Sequence, residues 1–225
     1  MDAIRVFLES ASHRVFCGAL DWPGWCRSGR DEDAALQALL AYAPRYAEVL
    51  QIGNVWFPEV KNLSQLIMAE RVPGNVTTDF GAPDAILAGD QEALDEKETA
   101  RLQAILWACW RKLEQVARAA EGKILRSGPR GGGRDLQSIL EHVMESNAAY
   151  LARIAHKVQR SAQDDLLAEL RTIQQADQTA IENAIRSGLP KSGPHGGRIW
   201  TLRFFIRRVA WHVLDHAWEI EDRVE

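Results

Sequence analysis

From residue 91 onward, apolar residues recur every three or four positions through four long stretches, and that period restricts this part of the chain to packed helices. Leu102, Ile105, Leu106, Cys109, Leu113 and Val116 mark the first stretch; Leu136, Ile139, Leu140, Val143, Tyr150, Leu151 and Ile154 mark the second. Leu166, Leu170, Ile173, Ala180, Ile181 and Ile185 mark the third, and Leu202, Phe205, Ile206, Val209, Val213 and Ile220 the fourth. Glycine-rich breaks at 127–133 and 187–197 separate the first two and the last two. Four amphipathic helices bury their stripes against one another, so an all-α four-helix bundle is expected over residues 91–225. The Gly131-Gly132-Gly133 run is no phosphate loop, because no Gly-Lys-Ser/Thr closes it.

Residues 1–80 carry a different pattern. Ile4–Leu8 and Arg14–Ala19 read as strands, Asp21-Trp22-Pro23-Gly24 as a turn and Trp25–Ser28 as a third short strand. Asp31-Glu32-Asp33 puts negative charge where a helix start is positive. It opens a helix expected to run through Ala34, Leu36, Leu39, Leu40 and Tyr46. Leu66–Val72 reads as a last strand, and Gly81-Ala82-Pro83 to Gly89 as a linker. The expected fold class is therefore a small α+β N-terminal domain followed by an all-α bundle. The first part resembles a small HicB-like domain in Asp21-Trp22-Pro23-Gly24, Gly29 and the acidic start of an Ala-Leu helix. Trp25 departs from the small residue expected after the Pro-Gly. No DNA-binding segment accompanies these residues, so the resemblance implies a fold and no toxin partner.

The net charge is −4, and neither half is basic, which argues against a nucleic-acid surface. Arg203, Arg207 and Arg208 read as a solvated helix face. No long uncharged apolar stretch and no leader-like start suggest a membrane, so a cytoplasmic protein is expected. Cys17, Cys26 and Cys109 lack CxxC spacing and read as small buried residues. Eight tryptophans are many for 225 residues. Trp107, Trp110, Trp211 and Trp218 are candidates to wall a pocket, although core packing accounts for them equally well.

The chemistry rests on histidine. His212 and His216 are four residues apart in the fourth stretch, on the side marked by Val209, Val213 and Ile220, so both imidazoles point inward one turn apart. His142 lies beside Ile139 and Val143 of the second stretch. Inward imidazoles need partners: core hydrogen bonds, or a metal ion. Three neutral imidazoles from two helices leave coordination positions open for water or substrate. His13 and His195 fall at a strand start and in a loop. His156 lies nearly four turns beyond His142, more than about 20 Å along a helix axis. Glu145, Asp215 and Glu219 lie within one turn of a candidate ligand and could orient it, or serve as surface ion pairs.

Asp135-Leu136-Gln137-Ser138-Ile139-Leu140-Glu141-His142 and His212-Val213-Leu214-Asp215-His216-Ala217-Trp218-Glu219-Ile220 resemble the DinB-like superfamily. The resemblance spans roughly residues 91–222 and includes thiol-dependent transferases. It implies an up-down-down-up bundle with a divalent metal ion, zinc or nickel, on His142, His212 and His216. It also implies a low-molecular-weight thiol and an electrophilic small molecule as partners. A homodimer is left open. Metal-dependent hydrolysis would use the same ligands, and a non-catalytic binding module with a structural metal is the reading from another class.

Overall fold

The computed structural model describes residues 3–127, 133–158, 165–193 and 197–225. His195 and most of the glycine run lie outside the described residues. The architecture is mixed: a four-stranded sheet near the N-terminus, then mainly helices.

The strands are β1 (Ile4–Ser10), β2 (Val15–Ala19), β3 (Cys26–Gly29) and β4 (Leu66–Pro73), in the order β3-β2-β1-β4. β1 pairs antiparallel with β2 and parallel with β4, the latter with a register shift between Val6 and Phe7. Both faces of β1 are buried. Ile4, Val6 and Leu8 join the main core, while Phe7 packs with Phe16, Cys26, Leu87 and Trp211. That two-sided burial follows from strand alternation with a cover on each face.

The N-terminal helix expected through Tyr46 is two helices, α1 (Glu32–Ala41) and α2 (Ala43–Ile52). Asp31 caps α1 by accepting a hydrogen bond from the Ala34 amide. Pro44, in the first turn of α2, has no N–H to continue the α1 ladder, which is why the helix breaks at Tyr42. A short helix, α3 (Val76–Phe80), was not legible; Asn75 and Thr78 close it with a capping box.

The segment read as a linker is held at several points. Buried Glu9 accepts hydrogen bonds from the Thr78 hydroxyl and the Asp84 and Ala85 amides. Glu70 accepts from the Ala88 and Gly89 amides. Asp90 takes the Leu87 amide and pairs with Arg207. Carboxylates thus satisfy backbone donors that neither helix nor sheet uses.

Four long helices follow: α4 (Glu96–Ala120), α5 (Leu136–Ala152), α6 (Leu166–Ser187) and α7 (Leu202–Arg223). Each starts on a side-chain cap, from Asp95, Asp135, Asp165 and Thr201. α5 ends at Ala152, short of the expected Ile154, and the chain turns away through Ala155 at φ 59°.

Side-chain pairs fix the helix directions. Arg203, early in α7, meets Glu98, early in α4, at 2.6 Å, and Lys112 pairs with Glu221 farther along both, so α4 and α7 are parallel. His142, early in α5, meets His216, while Tyr150 near its end meets Arg208, so α5 opposes α7. Arg171 and Asp177 of α6 reach Glu114 and Trp110 of α4, so α6 opposes α4. One apolar core runs from β1, Trp25 and Tyr46 through α4 to α5, α6 and α7. α7 is buried from Phe204 to Leu214 without interruption and is the central helix. No helix among the described residues is long and apolar enough to cross a membrane.

Candidate metal centre

α5 and α7 run antiparallel and in contact, and their shared face carries the three histidines. The Nε2 atoms of His142 and His212 are 3.2 Å apart. Ring centroids are 5.1 Å apart for His142 to each of the others and 4.7 Å for His212 to His216. One ligand atom from each residue lies within 4.8 Å of the other two. Two nitrogens bound to one tetrahedral ion at 2.0–2.1 Å are about 3.3 Å apart, so the His142–His212 spacing suits a shared ion.

His212 and His216 are buried and His142 is half-buried. Burial pushes the His212 imidazolium well below its ordinary pKa of 6.5, and the neighbouring His216 and His142 add to the effect. His142 is lowered too, by burial first and then by the charge of Arg134 and by His216. His142 and His212 therefore favour the neutral imidazole, the form that binds metal. His216 Nδ1 lies 2.8 Å from Glu219, which fixes the ring and leaves Nε2 for a ligand bond. That bond, ahead of Arg223, holds the Glu219 carboxyl below its usual range.

The other candidates divide. Asp215 turns away from the histidines and pairs with Arg27 of β3 at 2.9 Å. Glu145 is exposed and acts on His142 through its charge. Trp211 adjoins His212, with ring centroids 5.9 Å apart, but its far edge meets Phe16. Trp218 faces Tyr42, on the sheet side of α7. Trp107 and Trp110 line a cavity of about 540 Å³ between α4 and α6, with Gln174, Asp177 and Ile181, and no site histidine borders it.

Two neighbours of the site were not anticipated. Tyr150 stands 5.7 Å from His212, and it occupies the α5 stripe two turns beyond His142. Arg208 is one turn before His212 on α7. The expectation that Arg203, Arg207 and Arg208 form a solvated face is wrong: Arg207 and Arg208 are each 7% exposed, and the Arg203 side chain 13%. Long stems let guanidinium groups cover apolar surface, so three arginines in a row do not by themselves mark a wet face. Cys17, Cys26 and Cys109 are buried, and burial raises each thiol pKa, that of Cys17 to about 12.

The chain matches none of the family models, curated proteins or solved structures with which it was compared.

Proposed function

We propose that the chain is a metal-dependent enzyme of the DinB-like kind, which joins a low-molecular-weight thiol to an electrophilic small molecule. In this reading residues 91–225 form an up-down-down-up four-helix bundle behind an α+β domain at 1–80. The parallel α4/α7 pair and the opposed α5 and α6 support that arrangement. His142, His212 and His216 hold a divalent ion, zinc or nickel.

The observation that carries the proposal is the convergence of three imidazoles, two of them buried and one anchored by Glu219. The donor set suits a borderline metal, and three protein ligands leave room for an exogenous one. An ion held there lowers the pKa of a bound thiol or water and so supplies a nucleophile near neutral pH. The chain's own contribution is positional. α7 sets His212 and His216 one turn apart, α5 supplies His142, and Glu219 fixes the His216 tautomer. Tyr150 and Trp211 narrow the approach to His212.

Elemental analysis of purified protein, with a thiol-transfer assay on a generic electrophile, tests the reading. One metal equivalent per chain and thiol-dependent turnover, both lost in a folded His212→Ala variant, are expected. Turnover undiminished in that metal-free variant would remove the ion from the reaction. Hydrolysis without added thiol would reassign the nucleophile to water.

A further inference from the structure

Arg207 and Arg208 are neighbours on α7 and equally buried, yet they are satisfied in opposite ways. Arg207 pairs with the Asp90 carboxylate and also donates to the Ala85 carbonyl. Arg208 meets no carboxylate among the described residues. Its Nη1 donates to the Pro83 carbonyl, while its Nε is buried without a partner. A buried guanidinium lacking a counter-ion is unfavourable, and an orphan donor in a buried cation calls for an explanation.

The surroundings point to a ligand. The guanidinium lies over the rings of Tyr150 at 5.4 Å and Trp211 at 5.0 Å. The same two rings stand 5.7 and 5.9 Å from His212. Arg208 and His212, four residues apart, share one face of α7. The cation and the imidazole therefore pack against the same two rings.

We propose that Arg208 is an anion subsite beside the three-histidine centre. It takes the carboxylate of a small-molecule substrate whose reacting end reaches His142, His212 and His216, with Tyr150 and Trp211 as walls. The assignment rests on the metal-enzyme reading for the role of the histidines. With Nη1 held by the Pro83 carbonyl, Nε is the donor left for a carboxylate, whose charge would also meet the guanidinium's.

The test uses the full chain loaded with cobalt(II), first checked for stoichiometry by its visible spectrum. Wild type is titrated with 3-mercaptopropionate and with 3-mercapto-1-propanol, a neutral thiol of equal length. The thiolate-to-cobalt charge-transfer band reads binding rather than turnover. The carboxylate thiol should bind about ten-fold or more tightly, as charge-assisted hydrogen bonds imply. Arg208→Gln should abolish that preference without weakening the neutral thiol, and Arg208→Lys should restore part of it, with circular dichroism reporting the fold. Equal binding of the two thiols by wild type overturns the proposal. So does a preference that survives Arg208→Gln, since the carboxylate would then be chelating the metal. If the protein takes up no cobalt, the metal-enzyme reading fails separately. Calorimetry on the metal-free protein with 3-phenylpropionate against 3-phenylpropanol then decides the Arg208 subsite. Carboxylate-selective binding that depends on Arg208 keeps it, and its absence removes it. Should Arg208→Gln not fold, the wild-type pair and Arg208→Lys carry the same decision.

Discussion

Asp177 is an acid placed where its charge is least welcome, and removing that charge has a calculable effect on stability. The side chain is 1% exposed between α4, α5 and α6. Trp110 Nε1 donates to one carboxylate oxygen at 2.9 Å and Asn147 Nδ2 to the other at 2.7 Å. Burial outweighs both bonds and raises the pKa from 3.8 to about 7. Because the folded value lies above the unfolded one, the folded protein keeps a proton through an interval in which the unfolded chain has lost it. The stability from this group is full below the unfolded pKa and is lost as pH rises from about 4 to about 7. Three pKa units at about 1.4 kcal/mol each amount to a loss of about 4 kcal/mol. Asp177→Asn removes the titration and keeps an acceptor for Trp110. Asn147 Oδ1, buried without a partner, can then turn to accept the new amide. Urea unfolding of metal-free wild type and variant across this pH range gives the difference directly. The variant should gain on wild type steadily up to about pH 7 and hold its advantage above it. Parallel pH profiles would refute the reasoning, since Asp177 would then titrate alike in the folded and unfolded states.

Three further outcomes are expected. Glu219→Gln takes a charged acceptor from His216 Nδ1, and metal affinity should fall about 10–100-fold in a chelator competition, a drop that an unimportant contact would not produce. For His212 the sign is opposite to that of Asp177. Its folded pKa is depressed, so metal-free protein should lose stability as pH falls below about 6.5, and His212→Gln should flatten that acid limb in urea titrations. Glu9→Ala strands the Thr78 hydroxyl and the Asp84 and Ala85 amides, and about 2–4 kcal/mol should disappear from the unfolding free energy; a loss near zero would mean that water replaces the carboxylate.

The elements visible in the sequence were those in which one local signal dominates. Strand alternation located β1, β2 and β4 within two residues at each end, and the 3.6-residue period located the four long helices. The histidine grouping was legible because His212 and His216 share a helix face whatever the tertiary structure. Their meeting with His142 needed only α5 and α7 to pack by their apolar stripes. Features decided by partners distant in the chain were not legible. Arg207 is buried because Asp90 neutralises it, and nothing near position 207 announces that pairing. Trp107 and Trp110 lie on the same helix as residues that face α7, but a turn of the helix directs them to α6 and its cavity. Asp215 sits between the two α7 histidines in sequence and on the opposite side in space, where Arg27 claims it.

That last arrangement bears on what the first 80 residues contribute. They supply none of the three histidines, yet they grip the face of α7 that the histidines leave. Phe16 of β2 meets Trp211 edge-on at 6.0 Å, Arg27 of β3 pairs with Asp215, and Tyr42 meets Trp218 at 5.0 Å. The turn before β3 presses closer still. Gly24 has φ 94°, and a Cβ there would come within 2.8 Å of Leu214. Three ring or ion contacts and one backbone contact, spread over two turns, fix the rotation of α7 about its own axis. That rotation matters at the site, because successive residues on a helix are about 100° apart and a shift of one position would carry both imidazoles away from α5. A site that depends on three nitrogens meeting within a few ångströms needs its helix held from behind. The sheet therefore acts on the histidine cluster through the orientation of α7. At Gly24 itself a side chain would meet both a strained φ and the Leu214 methyl, so the turn that packs on this face of α7 favours glycine.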